Sequence, residues 1–289
     1  MKRTVLSAIC LLLPILGSSA LGSNAKLAPL TAAQIIERNL AARGGSSAWQ
    51  QIRSVTLTGK MDAGEERKDG GAAGTLGTLL DMQRKAIERL QVTSHPAAKA
   101  DAPKVIQLPF KMDLARSKKM RLEIAVNGET ALQLFDGTQG WKLRPFLGRH
   151  EVEPYTVEET KTAVSEEELD GPLVNFAAKG TKVSLEGTDV VADRPAYRLR
   201  LTLKSGAHRR LWIDGESFLE AKLEGAPRRF NGSSRPVFTY FKNFKKVQGL
   251  MMPFTFETAV DGVPRVERIL VDHVAFNTPF DAAHFAKPL

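Results

Sequence analysis

Five histidines, one cysteine and one glycine-rich run are the residues of this chain that could do chemistry on their own. His95, His150, His208, His273 and His284 are scattered, and none has a second histidine or a carboxylate at metal-ligand helical spacing. His150 comes nearest, beside Glu151 and Glu153, because alternate strand residues share a face. A partly exposed surface group is the plainer reading of it. No H-E-x-x-H or G-x-S-x-G motif is present. Gly70 to Gly77 looks loosely phosphate-binding but lacks the Gly-Lys-Ser/Thr of a P-loop, so it reads as a linker. Aspartate and glutamate are plentiful, yet no pair stands out as acid and base. The expectation is a non-enzymatic protein with no catalytic residue, no metal and no cofactor. A hydrolase with an unrecognised carboxylate site is the remaining catalytic reading.

The only cysteine, Cys10, lies inside a leader. Lys2 and Arg3 open it, Val5 to Gly17 is its apolar run, and small residues offer cleavage after Ala20 or after Ala25. The run is too short to span a bilayer as a mature helix. Cys10 precedes Leu11, Leu12 and Leu13 instead of following the run, which argues against a lipid anchor there. A secretory signal over residues 1–25 is expected, leaving one domain over 26–289 in the periplasm with no thiol for disulfides, nucleophilic attack or metal binding. No later stretch of 18 apolar residues follows, so the processed chain is expected to be soluble. Cleavage also removes two of the charges behind the formal net charge of +9. Nucleic acid is not an expected partner in that compartment. Anionic lipid head groups or other anionic envelope components are the partners a basic protein would meet there.

The elements that must position any site are mostly strands. MRLEIAVNGETALQLFDGTQGWKLRPFLG, Met120 to Gly148, carries the clearest signal. Met120, Leu122, Ile124 and Val126 alternate with Arg121, Glu123 and Ala125, the period of a strand with one apolar face. Asn127-Gly128 tolerates the positive φ of a two-residue hairpin, Ala131 to Phe135 returns, and Asp136-Gly137 turns again before Trp141. Further turn pairs stand at Glu186-Gly187, Ser205-Gly206, Asp214-Gly215, Gln248-Gly249 and Asp261-Gly262. Tyr197, Leu199, Leu201 and Leu203 form another one-sided row, as do Met252, Phe254, Phe256 and Thr258.

Helices are few. Thr31 to Ala42 carries a Thr31/Gln34 capping box and ends at Arg43-Gly44. Ser46 to Ile52 is a short helical turn that buries Trp49, and Arg53 to Met61 is a strand. Thr156 to Leu169 has a Thr156/Glu159 box and the acidic run Glu166-Glu167-Glu168, and stops at Asp170-Gly171-Pro172. Between the loose linkers Lys68 to Gly77 and Ser94 to Pro103, Leu76 to Val92 reads as a helix. This region, residues 68–105, is either a helical insertion or a lid. The expected class is mainly β with helices (α+β), a curved antiparallel sheet with helices packed on its concave side.

Taken in order, IIERNLAARGGSSAWQQIRSVTLTGKM (Ile35 to Met61), KMRLEIAVNGETALQLFDGTQGW (Lys119 to Trp141), Pro145-Phe146, DGPLVNF (Asp170 to Phe176), MMPFTFE (Met251 to Glu257) and FDAAHFAKP (Phe280 to Pro288) resemble the outer-membrane lipoprotein-sorting (LolA/LolB-like) superfamily. The resemblance covers the processed chain apart from about Lys68 to Val105, and is nearest to uncharacterised periplasmic members. It implies a half-open antiparallel β-barrel closed by helices, and a protein that carries the acyl chains of lipoproteins or lipids. The family's lid-holding arginine has no matching motif here, so no lid residue is carried over.

An apolar cavity of that kind would be lined by Leu122, Ile124, Phe135, Trp141, Phe146, Leu199, Leu201, Trp212, Phe238, Tyr240, Phe254 and Phe256. The same residue types also make an ordinary core. Arg209, Arg210, Arg228 and Arg229, with Arg235, Lys242, Lys245 and Lys246 nearby in sequence, are head-group candidates if they share a rim. Two readings follow: a periplasmic carrier or sensor of acyl chains, lipoprotein or phospholipid, and a non-catalytic envelope interaction module with a packed core.

Overall fold

Period-two apolar rows make strands, and the computed structural model pairs them into one long antiparallel sheet. It describes residues 27–66, 72–73, 105–165, 169–230, 232–264, 266–281 and 283–288. The leader with Cys10, the glycine-rich run, the helix expected over Leu76 to Val92, its linkers and the acidic run Glu166 to Glu168 lie outside the described residues, apart from Ala72–Ala73.

The chain opens with α1 (Ala32–Ala42) and α2 (Ser46–Gln51), followed by β1 (Ser54–Glu66), β2 (Ala72–Ala73) and β3 (Val105–Ala115). Then come β4 (Lys119–Val126), β5 (Glu129–Phe135), β6 (Gly140–Arg144), β7 (Arg149–Pro154) and α3 (Val157–Ser165). The second half contains β8 (Lys182–Val191), β9 (Arg194–Thr202), β10 (His208–Asp214), β11 (Glu220–Glu224), the small hairpin β12 (Arg228–Phe230) and β13 (Ser233–Arg235), β14 (Val237–Val247), β15 (Leu250–Val260) and β16 (Val266–Phe276). The 14-stranded sheet runs β7-β6-β5-β4-β3-β1-β16-β15-β14-β11-β10-β9-β8, with β2 beside β1. The first and last long strands, β1 and β16, meet in its middle and join the two halves. The sheet does not close on itself, so the architecture is a curved half-barrel.

Local signals explain most of these elements. Thr31 caps α1, with Gln34 returning the bond to the Thr31 backbone. Thr156 and Glu159 repeat the device at α3. Asn127 and Gly128 both hold positive φ, at 51° and 82°, so the β4–β5 turn has the hand that suits a twisted hairpin. Glu186-Gly187 is different. It lies inside β8 at a register shift between Leu185 and Gly187, a bulge and not a turn. The turn that ends β8 is Ala192-Asp193, with φ of 48° and 61° and no glycine.

One face of the sheet is apolar along most of its width. Cross-strand partners point to the same side, which puts Val55, Leu114, Met120 and Phe135 in one row and Leu57, Met112 and Leu122 in the next. The helices cover part of this concave face. Trp49 of α2 packs with Val55, Phe254 and Phe276, its ring edge-on to Phe276. Ile35 and Ile36 of α1 pack on Leu199, Leu201, Leu211 and Ile213.

A buried polar junction fixes the helices. Asp170 is fully buried; its carboxylate takes hydrogen bonds from Arg116 and, at 2.6 Å, from Lys179 Nζ. Its carbonyl accepts from Arg43 Nη1 at 2.6 Å. The Arg43 guanidinium also lies 4.2 Å over the Trp49 ring and 3.4 Å from Glu220. The Arg43 carbonyl takes both Trp49 Nε1–H and the Met251 N–H. Gly44 lets the chain turn there: its φ is 100°, and a Cβ would sit 2.4 Å from the Gly249 carbonyl.

Asp170→Ala is expected to cost about 3–5 kcal/mol, because Arg116 and Lys179 lose a buried carboxylate. Denaturant unfolding measures it, and a loss under about 1 kcal/mol would show the junction to be dispensable.

Candidate ligand-binding site

The register divides the candidate cavity residues between two faces. Leu122, Ile124 and Phe254 belong to the concave cluster, with Phe146 and Phe256 packed at its border. Phe135 is on the same side, opposite Met120, but is sealed by Tyr155, whose ring stacks on it at 6.5 Å. Leu199 and Leu201 are concave too, yet fully buried beneath Ile35 and Ile36.

The remaining candidates are on the convex face, apart from that wall. Trp141 is opposite Leu134, which is opposite Arg121, while Leu122 and Ile124 point the other way. The C-terminal segment runs over this outer row. Arg121 Nη1 donates to the His284 carbonyl, and the His284 ring nitrogen Nε2 lies 2.9 Å from Asp113. Trp212, Phe238 and Tyr240 also point outward, around the Lys222 ammonium, which lies 4.4, 4.0 and 5.3 Å from their ring centres. Trp212 Nε1 donates to Asp189, whose carboxyl this bond holds below its usual range.

The four head-group arginines share no rim. Arg209 is buried and points with Leu201 to the concave side. Arg210 is on the outer face, paired with Glu186 and Glu224. Arg228 pairs with Glu267 beside the exposed Arg229 on the β12–β13 hairpin. His150 is exposed, 3.9 Å from Glu129, while Glu153 is engaged by Arg144 and Arg149. Among the described residues no group of three or more His, Cys, Asp or Glu could hold a metal ion.

Sequence reading missed one feature of this face. Strands β15 and β16 pair only from Thr255 opposite Leu270 to Ala259 opposite Val266. Beyond that point Leu250–Phe254 stays with β14, and Val271–Phe276 stays with β1. The sheet therefore forks. A groove of about 410 Å³ lies at the vertex, lined by Asn243, Phe244, Lys245, Phe254, Thr255, Leu270 and Val271. The positive φ of Asn243, 54°, is its only local trace, and the residue type is compatible with either a turn or a bulge.

At the other end of the concave face, α3 is held by charge. Lys142 Nζ, nearly buried, contacts both Glu159 oxygens at 2.5 and 2.7 Å, and the Thr156 N–H donates to the same carboxylate. Burial pushes the Glu159 carboxyl up, but these hydrogen bonds outweigh it and hold it below the usual range. Burial and the Glu159 charge both push the Tyr155 phenol up. A carboxylate depressed in the folded state stabilises the fold above its unfolded pKa, about 4.3 for glutamate, and loses that contribution as pH falls through the folded value. Glu159→Gln should therefore cost about 1–3 kcal/mol at pH 7. The gap from wild type should shrink below about pH 4, read by thermal unfolding between pH 7 and 3. A gap that stays constant would contradict the assignment.

No protein-family model and no curated protein matches this chain. Solved structures do. A LolA superfamily protein of Nitrosomonas europaea superposes with a TM-score of 0.50 at 14% identity, over 89% of this chain and 98% of that one. A DUF1329 family protein of Desulfovibrio piger superposes with a TM-score of 0.50 at 12% identity, over 88% of this chain and 96% of that one. At these identities the likeness is one of fold: the half-barrel with helices on its concave side is the LolA-like fold.

Proposed function

We propose that the processed protein is a periplasmic carrier or sensor that holds the acyl chain of a lipid or lipoprotein against the concave face of the half-barrel. The observation that carries this reading is the unequal cover of that face by the described helices. Its buried cluster continues into large, only partly buried side chains, among them Ile106, Leu108, Phe256 and Ile269. These flank the end of β1 remote from Trp49, where α1 and α2 do not reach. Apolar surface left at the border of a core is where an apolar ligand would gain contact area. Affinity would come from area, since each buried methylene contributes about 0.8 kcal/mol and a 16-carbon chain about 12 kcal/mol before costs. No catalytic group is needed. The leader supports export, and no helix among the described residues is long and apolar enough to cross a membrane.

One observation favours the second reading, an envelope interaction module with a packed core. Under α1, Leu199, Leu201, Leu211 and Ile213 are completely buried, so the face beneath that helix is packed. The two halves thus make different claims, and the open half decides between them.

Native mass spectrometry of protein purified from its own envelope is expected to show lipid-sized adducts. Their absence from several mild preparations would overturn the carrier. Variants locate the site. Ile269→Asn should weaken binding of a fluorescent fatty-acid probe by about tenfold or more with a small change in Tm. Trp141→Ala, on the outer face, should cost about 2 kcal/mol of stability and leave probe binding unchanged. The opposite pattern would remove the ligand from the concave face.

A further inference from the structure

The fork between β15 and β16 is built, not merely left open. At its wide end the α1–α2 corner fills it: the Met251 N–H bonds the Arg43 carbonyl, Gly44 packs against Leu250, and Trp49 meets Phe276 across the gap. At its vertex nothing comparable sits among the described residues, and the groove remains. Its lining draws on both faces of the sheet. Phe244, Thr255 and Leu270 share the side of Lys242 and Lys60, while Phe254 and Val271 belong to the concave cluster. The groove is therefore continuous with the apolar wall described above. Its volume of about 410 Å³ falls in the roughly 300–1,000 Å³ range of small-ligand sites.

Lys245 is the one charged residue of the lining. It is exposed, and its ammonium lies 4.2 Å over the Phe254 ring with no carboxylate partner among the described residues. Two neighbouring cations differ: Lys242 is paired with Glu257, and Arg268 with Glu257 and Asp62. Asn243 holds the vertex in shape, its amide donating to Thr255 Oγ1 at 2.9 Å. An apolar slot whose one charged lining residue is a cation unpaired among the described residues complements an acyl chain that ends in an anion.

We propose that the fork is a binding subsite for an acyl chain with an anionic head group: the chain lies against Phe254, Leu270 and Val271, and the carboxylate or phosphate meets Lys245. The subsite rests on the carrier reading and gives that carrier a charge preference. The anion replaces the Phe254 ring as the neighbour of the ammonium, and the lysine stem continues to cover the ring.

The test is equilibrium binding of a dansyl-labelled fatty acid and of its methyl ester to the mature chain. Lys245→Glu, a surface change, should weaken the acid about tenfold and leave the ester within about twofold. Leu270→Trp, which fills the slot, should weaken both about tenfold or more, with Tm held within a few degrees. Equal weakening of acid and ester by Lys245→Glu would overturn the charge contact. Wild-type affinity of both variants for both probes, with Ile269→Asn still defective, would overturn the subsite and keep the carrier. Failure of the wild-type protein to bind either probe would overturn both. Lysophospholipid and inorganic phosphate as competitors separate the head group's source: displacement by the lipid alone supports the subsite, and displacement by phosphate alone overturns it.

Discussion

The cover that α1 and α2 give the concave face depends on how Arg43 is held. α1 has 11 residues and α2 has 6, lengths at which helices are marginal without tertiary contacts. Arg43 supplies those contacts from the corner between them. Its side chain reaches Asp170 and lies on Trp49, and its carbonyl ties Trp49 and Met251. Asp170 in turn binds Arg116, which follows β3, and Lys179, which precedes β8. One buried carboxylate thus links α1, the β3–β4 turn and the segment leading into β8. Such a junction is costly to desolvate and a poor source of net stability, but it tolerates few alternative arrangements. It gives position where the short helices alone could not.

Size explains why that position matters. The thirteen strands that lie side by side, at about 4.8 Å spacing, make a sheet roughly 60 Å across before curvature. An 11-residue helix is about 16 Å long. The described helices therefore cover only part of the concave face, and where Arg43 pins them decides which part. α1 is spent over β8, β9 and β10, where the packing is complete. α2 is spent at the fork, where Trp49 fills the wide end. What the described helices leave partly exposed is the stretch around Ile106, Leu108, Phe256 and Ile269, together with the fork vertex. The same constraint that stabilises one half leaves the other available.

Local features were legible in the sequence and long-range ones were not. Two capping boxes, the Asn127-Gly128 hairpin and the one-sided rows of β4 and β9 depend on near neighbours, and the structure has them; β15, expected to be one-sided, is buried on both sides from Met252 to Thr255. Alternation says that Trp141 and Leu122 each occupy one side of a strand, but not that the sides differ, because each strand's face is set by its pairing register. Trp141 is on the Leu134 side, and Trp212 points outward with Lys222. Glu186-Gly187 has turn composition, yet the chain continues through it as a bulge. Arg43 was readable as a helix end, and nothing nearby announces Asp170, 127 residues away. The fork arises from two strands choosing different partners, and no single segment encodes that.

Charge shows the same gap between sequence and structure, and its resolution bears on the ligand. The basic excess of the chain reads as an invitation to anionic partners, and the arginine pairs look like the place. Among the described residues, folding instead engages many of those cations with the chain's own carboxylates and rings. Glu186 is shared by Arg198, Arg200 and Arg210; Asp214 is held by Arg194; and Lys222 rests among three aromatic rings. Burial pushes the Asp214 carboxyl up, but Arg194 and the Ser217 and Glu216 amides overcome that and keep it ionised. Cations already matched by carboxylates bring little net attraction to a second anion, because the local field is cancelled within about a Debye length. Net charge therefore steers an anion only weakly to any one place, and recognition falls to a cation with no carboxylate partner among the described residues. Lys245 meets that condition beside an apolar slot, which couples head-group charge to chain burial at one point of the sheet.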